Sequence, residues 1–490
     1  MKEVKKDNTV YIISLIVVFA IVGWGLIAPA NFGNAANALF NYLVDNFSWF
    51  YLISMFLFVV FCIIIGFSKY GNIKLGSDDS KPEFSTVSWF GMLFGSGMGI
   101  GLVFWGVAEP LNHYLSPLGL EGATVEAANF AMKQSFFHWG IHPWANYAVI
   151  GMALAYFQFR KNAPGLISSI FLPLIGEKGV RGPIGKTIDI LAIFATVAGV
   201  ATSLGIGTLQ INSGLNFMFG LPATTIVQLT IIAVITVIYI WTAVSGIDKG
   251  IKMLSDLNLV LAFAILALSI IVGPKVAMLN SLTNGIGNYF DKFIYDSFHI
   301  EAFGDNKWIG KWTIFYWAWW IAWAPFVGTF IARISKGRTI KEFVLGVILA
   351  PTLASFIWFA VFGTLGINLG SDVAAEAIKV TETAFFIVTN KYPLGFIISV
   401  IAVFLLGTFF ITSANSATFV LGMMSQQGDL NPTNSKKILW GVVQALLAFA
   451  LLLGGGLEAL QTASIAAAFP FAIVMIFACV ALVKALRQEK

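Results

Sequence analysis

The chain has 490 residues, of which 58% are hydrophobic and 11% charged, against about 25% charged in an ordinary soluble domain. Long charge-free stretches recur throughout, which marks a polytopic membrane protein. The net charge of +5 sits in loops between apolar spans and therefore does not describe a nucleic-acid surface.

The start, MKEVKKDNTVYIISLIVVFAIVGWGLIAP, has the apolar length of a signal peptide. No clear cleavage site follows and further spans do, so it reads as a retained first helix. Twelve helical spans are expected, near 11–29, 49–67, 86–110, 128–158, 187–212, 224–245, 252–273, 310–334, 342–368, 392–425, 437–455 and 463–485, each long enough to cross the hydrocarbon core. Lysine and arginine concentrate in alternate segments, from Lys2, Lys5 and Lys6 through Arg160 and Lys161 to Arg333, Lys336, Arg338 and Lys341. The positive-inside rule then puts both termini in the cytoplasm of a plasma-membrane protein. Cys62 and Cys479 lie in apolar segments away from any ligand spacing and are expected to be unpaired core thiols.

Span 3 carries FGSGMGIGLVFWGVAEP at 94–110, with Gly95, Gly97, Gly99 and Gly101 in alternation. Small-xxx-small spacing favours close helix packing, but four alternating glycines also free the backbone to unwind. Glu109 ends this span and is expected to face its outer boundary. Span 4 holds HWGIHPWANY, placing Trp139, Trp144 and Tyr147 near mid-membrane. His138 and His142 have the spacing of a helical metal pair, but no acidic partner accompanies them and Pro143 follows; structural histidines near a kink are the better reading.

Beyond span 7, residues 290–303 and 374–392 mix apolar and charged side chains at helical spacing and are expected to lie along the outer face. Span 8 contains YWAWWIAWAPFVG. Projected at 100° per residue, Trp312, Tyr316, Trp319, Trp320 and Trp323 share an arc of about 100°, and Trp317 lies outside it. An interfacial belt would collect tryptophan at helix ends, whereas Trp319–Trp323 are mid-span. Two aromatic sets in one membrane interior point to a cage for a cation, most of all a quaternary ammonium, which has no N–H to donate. No mid-span carboxylate is expected on these helices to share that task. Pro325 in APFVG is expected to interrupt span 8. Spans 3–7 and 8–12 would then be two five-helix repeats of opposite orientation, with the ligand beside the broken first helices. The division is 1–85 for two leading helices, 86–273 for the first repeat, 274–309 for an outer loop with a surface helix, and 310–490 for the second repeat.

Span 10 offers hydroxyls in FFITSANSATF, although serine and threonine in membrane helices usually bond back to their own carbonyls. An ion channel would show a polar pore rather than aromatic cages, and no enzyme active-site pattern is present. Only about five residues follow the last span, so activation through a long basic tail is not expected.

GMGIGLVFWGVAEP and WTIFYWAWWIAWAPFVGTFIARISKGRT resemble the signature stretches of the betaine/choline/carnitine transporter (BCCT) family, and the similarity extends over nearly the whole chain. The resemblance implies an all-α fold of twelve transmembrane helices with a LeuT-like five-plus-five inverted repeat, assembled as a trimer. It implies secondary active transport of a quaternary-ammonium compound without any cofactor. The cage would be Trp139, Trp144, Tyr147 and Trp320, with Trp319 and Trp323 beside it, Trp323 acting mainly as substrate arrives or leaves. Met98, Gly99 and Gly101 would line the same site. Sodium would lie at Thr412 and Ser413 hydroxyls and the Gly95, Met98 and Phe409 carbonyls. A second family site would include Thr196, but its partner one turn later is Val200, which puts that site in doubt. Carnitine antiporters carry methionine where this chain has Val327, and proton-coupled choline carriers tend to read GMGID where this chain has Gly101. The expectation is sodium symport of a zwitterion such as glycine betaine; a choline or carnitine transporter working with protons or by exchange is the alternative.

Overall fold

The computed structural model describes residues 7–97, 99–245 and 248–489; Met98 and the lysines at 2, 5 and 6 lie outside them. The secondary structure of the described residues is helical apart from turns and one isolated bridge. In chain order the helices are α1 (Thr9–Ile27), α2 (Pro29–Phe67), α3 (Thr86–Gly97), α4 (Ile100–Leu115), α5 (Val125–Trp139), α6 (Ile141–Ala155), α7 (Leu172–Arg181), α8 (Pro183–Phe219), α9 (Thr225–Val244) and α10 (Asp248–Val272). They continue as α11 (Lys275–Phe298), α12 (Lys307–Ile309), α13 (Phe315–Ile334), α14 (Ile340–Ile367), α15 (Ser371–Ile378), α16 (Ala384–Thr389), α17 (Gly395–Met424), α18 (Asn434–Gly455) and α19 (Leu457–Leu486). Among the described residues, ten helices are long and apolar enough to cross a bilayer. Two further expected spans are each broken in two, α3/α4 and α5/α6.

The sequence reading is corrected in four places. Residues 30–48 are not a loop; Pro29, at the first helical position, opens a single helix running to Phe67, as proline favours there. The helix expected at 290–303 is α11, which starts well before residue 290, at Lys275, and ends at Phe298. Residues 374–392 are not one helix but α15, a 3₁₀ turn at Thr381–Thr383 and α16, because Val380 is extended. Pro325 does not interrupt span 8: α13 runs through it. Proline removes one helical hydrogen bond, which a membrane helix enclosed by protein tolerates; among the ten long apolar helices, the one ending in α13 (Lys307–Ile334) is the most enclosed, with 89% of its apolar window buried.

Burial separates a centre from a rim. Windows of α13 and α8 are 89% and 83% buried, whereas those of α1, α9 and α10 are each 22% buried, as expected for helices whose apolar faces meet lipid. Around the centre, α6 packs on α13 and α4 on α14; α8 packs on α19 and α10 on α17. Helices α8 and α17 pack on each other, as do α9 and α18, while α9 touches α17 and α8 touches α18. Cys62 and Cys479 are free and buried, as expected.

One face is tied by its loops. Leu75 exchanges backbone hydrogen bonds of 2.8 Å with Arg338 and Gly337. Gly337 has φ +83°, and a Cβ there would lie 2.3 Å from the Lys81 carbonyl, so only glycine fits. The Arg338 guanidinium stacks 4.0 Å above the Trp89 ring, a cation–π contact that fastens α3 to the loop before α14. On the same face Glu489 is bound by Arg160 (2.8 Å), Lys161 (2.6 Å) and the Tyr156 hydroxyl (2.6 Å). The Arg160 hydrogen bonds, more than the other contacts, draw its carboxyl from 4.5 down to about 2. A depressed folded pKa contributes stability above the ordinary value and loses it as pH falls toward the folded one. Wild type should therefore unfold at higher temperature than Glu489→Gln at pH 6, and the difference should shrink between pH 4.5 and 2. Thermal melts of both proteins across that range check it; a gap independent of pH would contradict it.

Candidate functional site

The two broken spans build the site. Between α3 and α4 the chain leaves the helix at Gly99 (φ −131°, ψ −145°), as the alternating glycines led us to expect. Between α5 and α6 it breaks at Gly140, where a Cβ would lie 2.6 Å from the Phe136 carbonyl and 2.8 Å from the Tyr289 hydroxyl. Tyr289 of α11 takes over the freed donor, accepting from the Ile141 N–H at 3.1 Å. The break at Gly140 falls between Trp139, the last residue of α5, and Trp144 in the first turn of α6.

Trp139, Trp319, Trp320 and Trp323 converge with Gly99, Gly101 and Ser413 on one pocket. Trp319 and Trp320 stack at 4.9 Å, and Trp139 meets Trp320 edge-on at 4.8 Å. Trp144 and Tyr147 are not in its lining. They extend the aromatic chain behind Trp320, with Tyr147 at 6.3 Å from Trp320 and Trp144 at 5.6 Å from Tyr147. Each pocket indole has its N–H tied back. Trp320 donates to the His138 carbonyl (3.0 Å), Trp319 to the Ser203 hydroxyl (3.2 Å), Trp323 to the Gly199 carbonyl (2.8 Å) and Trp139 to a Glu109 carboxylate oxygen (2.8 Å). All four indole N–H groups are thereby engaged within the protein. Trp317 points elsewhere, stacking on His142 at 5.0 Å. Gly101 is the close approach: a Cβ there would lie 2.6 Å from Trp319 and 3.1 Å from Trp139. The pocket itself is nearly closed, with about 10 Å³ of free space.

Next to it lies a larger cavity of about 480 Å³, lined among others by Gly95, Lys252, Asn258, Phe330, Thr412 and Ser413. Ser413 lines both spaces, and Phe84, Ser88 and Phe330 place the mouth on the face of the 68–85 and 335–339 loops. Of the sodium ligands implied by resemblance, Gly95, Thr412 and Ser413 meet at this cavity, and Met98 is outside the described residues. Phe409 contributes its carbonyl to Thr412 Oγ1 at 3.2 Å, and Thr408 does so at 3.0 Å. Thr412 Oγ1 also accepts from Asn258 Nδ2 at 3.0 Å, while Asn258 Oδ1 is buried without a partner. Asn258 was missed in the sequence because a lone asparagine in span 7 has no pattern. Thr196 bonds to its own helix at Ala192 (2.8 Å) and Val200 is buried, so no second oxygen joins it from that position.

Glu109 corrects the sequence reading twice. It does not face a boundary and it supplies a buried carboxylate, fully enclosed, because the packing of α4 against α5 brings it beside His138 and Trp139. With His113 and His138 it gathers three metal-ligand atoms within 4.8 Å. Those atoms are spent on one another, His138 Nδ1 at 2.6 Å and His113 Nε2 at 3.3 Å from Glu109 Oε1, which makes a closed hydrogen-bonded cluster rather than an open coordination sphere. His142 Nε2 is paired with the Ser297 hydroxyl at 2.9 Å. Both histidines flank the kink, as expected.

Residues 9–490 match the BCCT family, described as betaine/carnitine/choline family transporters. Over 99% of its length the chain is 49% identical to the glycine betaine transporter OpuD of Bacillus subtilis (strain 168), covering 96% of that protein. It is 47% identical to a probable glycine betaine transporter of Desulfitobacterium hafniense (strain Y51), across 99% of this chain and 98% of that one. It is 44% identical to the ectoine/hydroxyectoine transporter of Virgibacillus pantothenticus, across 97% and 96%.

Proposed function

The chain belongs to the betaine/carnitine/choline family of transporters, and from that premise we propose that it imports glycine betaine by sodium symport. The observation that carries the substrate is the pocket of four indoles with every N–H engaged elsewhere. A trimethylammonium head asks for faces and offers no hydrogen to donate. Ectoine, suggested by one relative, carries ring N–H groups that ask for acceptors, whereas the lining is mainly indole, with the Ser203 and Ser413 hydroxyls as its side-chain oxygens. That favours the methylated head.

A zwitterion carries no net charge, so membrane potential alone cannot concentrate it. One coupled cation crossing 100 mV contributes about 2.3 kcal/mol, and a tenfold gradient adds about 1.4 kcal/mol. Together these support roughly 500-fold accumulation per ion. The oxygens of Thr412, Ser413 and Asn258 beside the large cavity are the place for that ion. Proton coupling or exchange is the competing reading, and a channel the remote one.

The architecture we propose is twelve spans in two inverted five-helix repeats. Support comes from the helix pairings. Exchanging each span with the one five later turns α6 on α13 into α14 on α4, α8 on α19 into α17 on α10, and α9 on α17 into α18 on α8. The large cavity opens to the face whose loops carry the basic residues, which is the cytoplasmic face on the positive-inside count; this arrangement is an inward-open state with both termini in the cytoplasm. A homotrimer in the plasma membrane is carried over from the family as a proposal.

The substrate is tested by tryptophan fluorescence of purified protein titrated with glycine betaine, with ectoine and choline as competitors. Glycine betaine should bind tightest by at least about tenfold. Tighter binding of ectoine or choline would reassign the substrate.

A further inference from the structure

Glu109 is bonded directly to the cage. Its Oε2 accepts from the Trp139 indole (2.8 Å) and the Tyr316 hydroxyl (2.5 Å), and its Oε1 from His138 Nδ1 (2.6 Å) and His113 Nε2 (3.3 Å). Two carboxylate oxygens offer about four acceptor positions, so all are used, and all by groups able to donate. The bonds on the far sides agree with neutral imidazoles. His138 Nε2 is within 3.2 Å of the Gln134 amide and 3.0 Å of the Thr313 hydroxyl, both of which can donate to it. His113 Nδ1 has no partner, as a bare acceptor nitrogen would. With the imidazoles neutral, four donors around one carboxylate would hold it as an anion and give the cluster a net charge of −1.

That charge sits one ring away from the ligand pocket. Trp139 presents one part of its indole to the pocket and its N–H to Glu109. We propose that Glu109 is the counter-charge of the aromatic cage, a positioning residue that acts on the substrate's cation through Trp139 and Tyr316. It does so in two ways. The N–H···carboxylate bond pins the Trp139 ring and pushes electron density onto its face, where a cation is attracted. The anion also gives the pocket a polarity: the ammonium end of a zwitterion faces Glu109 and its carboxylate is turned away, toward the helix break at Gly99. The pocket lining itself is uncharged, so this polarity has to come from behind the rings. The inference rests on the reading that the site takes a quaternary-ammonium zwitterion.

Glu109→Gln tests it. The amide keeps the shape, and its oxygen can still accept from Trp139 and Tyr316, but the charge is gone. Two ligands are titrated against both proteins: glycine betaine and 3,3-dimethylbutanoate, which has carbon in place of the ammonium nitrogen. In the variant, betaine should weaken roughly tenfold, the size of one unit-charge interaction across a ring in a partly screened interior, while the carbon analogue stays level or tightens. The ratio of the two dissociation constants should therefore narrow by about tenfold. An unmoved ratio, whether both ligands hold or both weaken together, would reduce Glu109 to scaffolding and overturn the counter-charge. Should wild type itself fail to prefer betaine, the substrate reading fails instead. Where the glutamine variant is not recovered folded, wild type answers through the ¹⁵N signal of the Trp139 indole, assigned by its loss in Trp139→Phe. Betaine should shift that signal and the carbon analogue should not; equal shifts would overturn the proposal.

Discussion

Replacing Trp320 by leucine is expected to weaken glycine betaine binding roughly 30-fold, the equivalent of one desolvated cation–π contact of about 2 kcal/mol. Trp320 is the ring on which the pocket turns. It stacks on Trp319, meets Trp139 edge-on and donates to the His138 carbonyl across the break in span 4. Leucine keeps apolar bulk and loses the π face. The control is Trp317→Leu, one turn earlier on the same helix but outside the pocket lining. Trp317 is fully buried against Phe137 and His142, and its indole N–H has no partner. Its loss should lower thermal stability and leave betaine affinity within about threefold of wild type, since surrendering packing is a stability effect. Binding titrations and melts on both variants give four numbers, and equal affinity losses would dissolve the cage.

The second large effect is on the ion. Thr412→Ala with Ser413→Ala removes two hydroxyls from the wall of the large cavity, one of which, Ser413, also lines the aromatic pocket. In the structure Thr412 makes the ordinary bond to its own helix and accepts from Asn258. Turning the Asn258 amide over would present Oδ1, now unpartnered, as a third oxygen beside the two hydroxyls. If sodium binds there, each lost oxygen should cost about 1.5 kcal/mol, by analogy with hydrogen bonds to charged groups, or about tenfold in affinity. The sodium concentration for half-maximal uptake should rise at least about tenfold in the double variant. Betaine affinity at fixed sodium should fall with it, because coupling free energy is reciprocal. Hydroxyls that merely serve their own helix predict a small change in stability and an unshifted sodium curve.

What was legible in the sequence follows from what leaves a local pattern. Four alternating glycines announced the break at Gly99, and the 100° arc separated Trp317 from the other span-8 tryptophans before any coordinates were needed. The failures are tertiary. Glu109 at the end of an apolar run looks like a boundary residue until α4 and α5 are packed together, and only then does its carboxylate meet His138 and Trp139. Gly140 breaks span 4 because Tyr289 arrives from a helix about 150 positions later, a contact with no local trace. Trp144 and Tyr147, cage residues by resemblance, stay in one aromatic chain with Trp320, at 5.6 Å from each other and 6.3 Å from Tyr147 to Trp320. Pro325 was read as an interruption from its own chemistry, but an enclosed helix can carry the missing bond. Amphipathic patterning found a surface helix after span 7 but started it at residue 290, whereas the polar, glycine-bearing stretch from Lys275 already belongs to α11.

Sodium-driven uptake into proteoliposomes tests the central claim most directly. Purified protein is reconstituted and labelled glycine betaine uptake is followed with an inward sodium gradient, an inward proton gradient, both and neither, at fixed membrane potential. Accumulation above the equilibrium level is expected only when sodium is present outside, abolished by a sodium ionophore and indifferent to the proton gradient. Accumulation driven by protons alone, or equal exchange that never needs sodium, would contradict it.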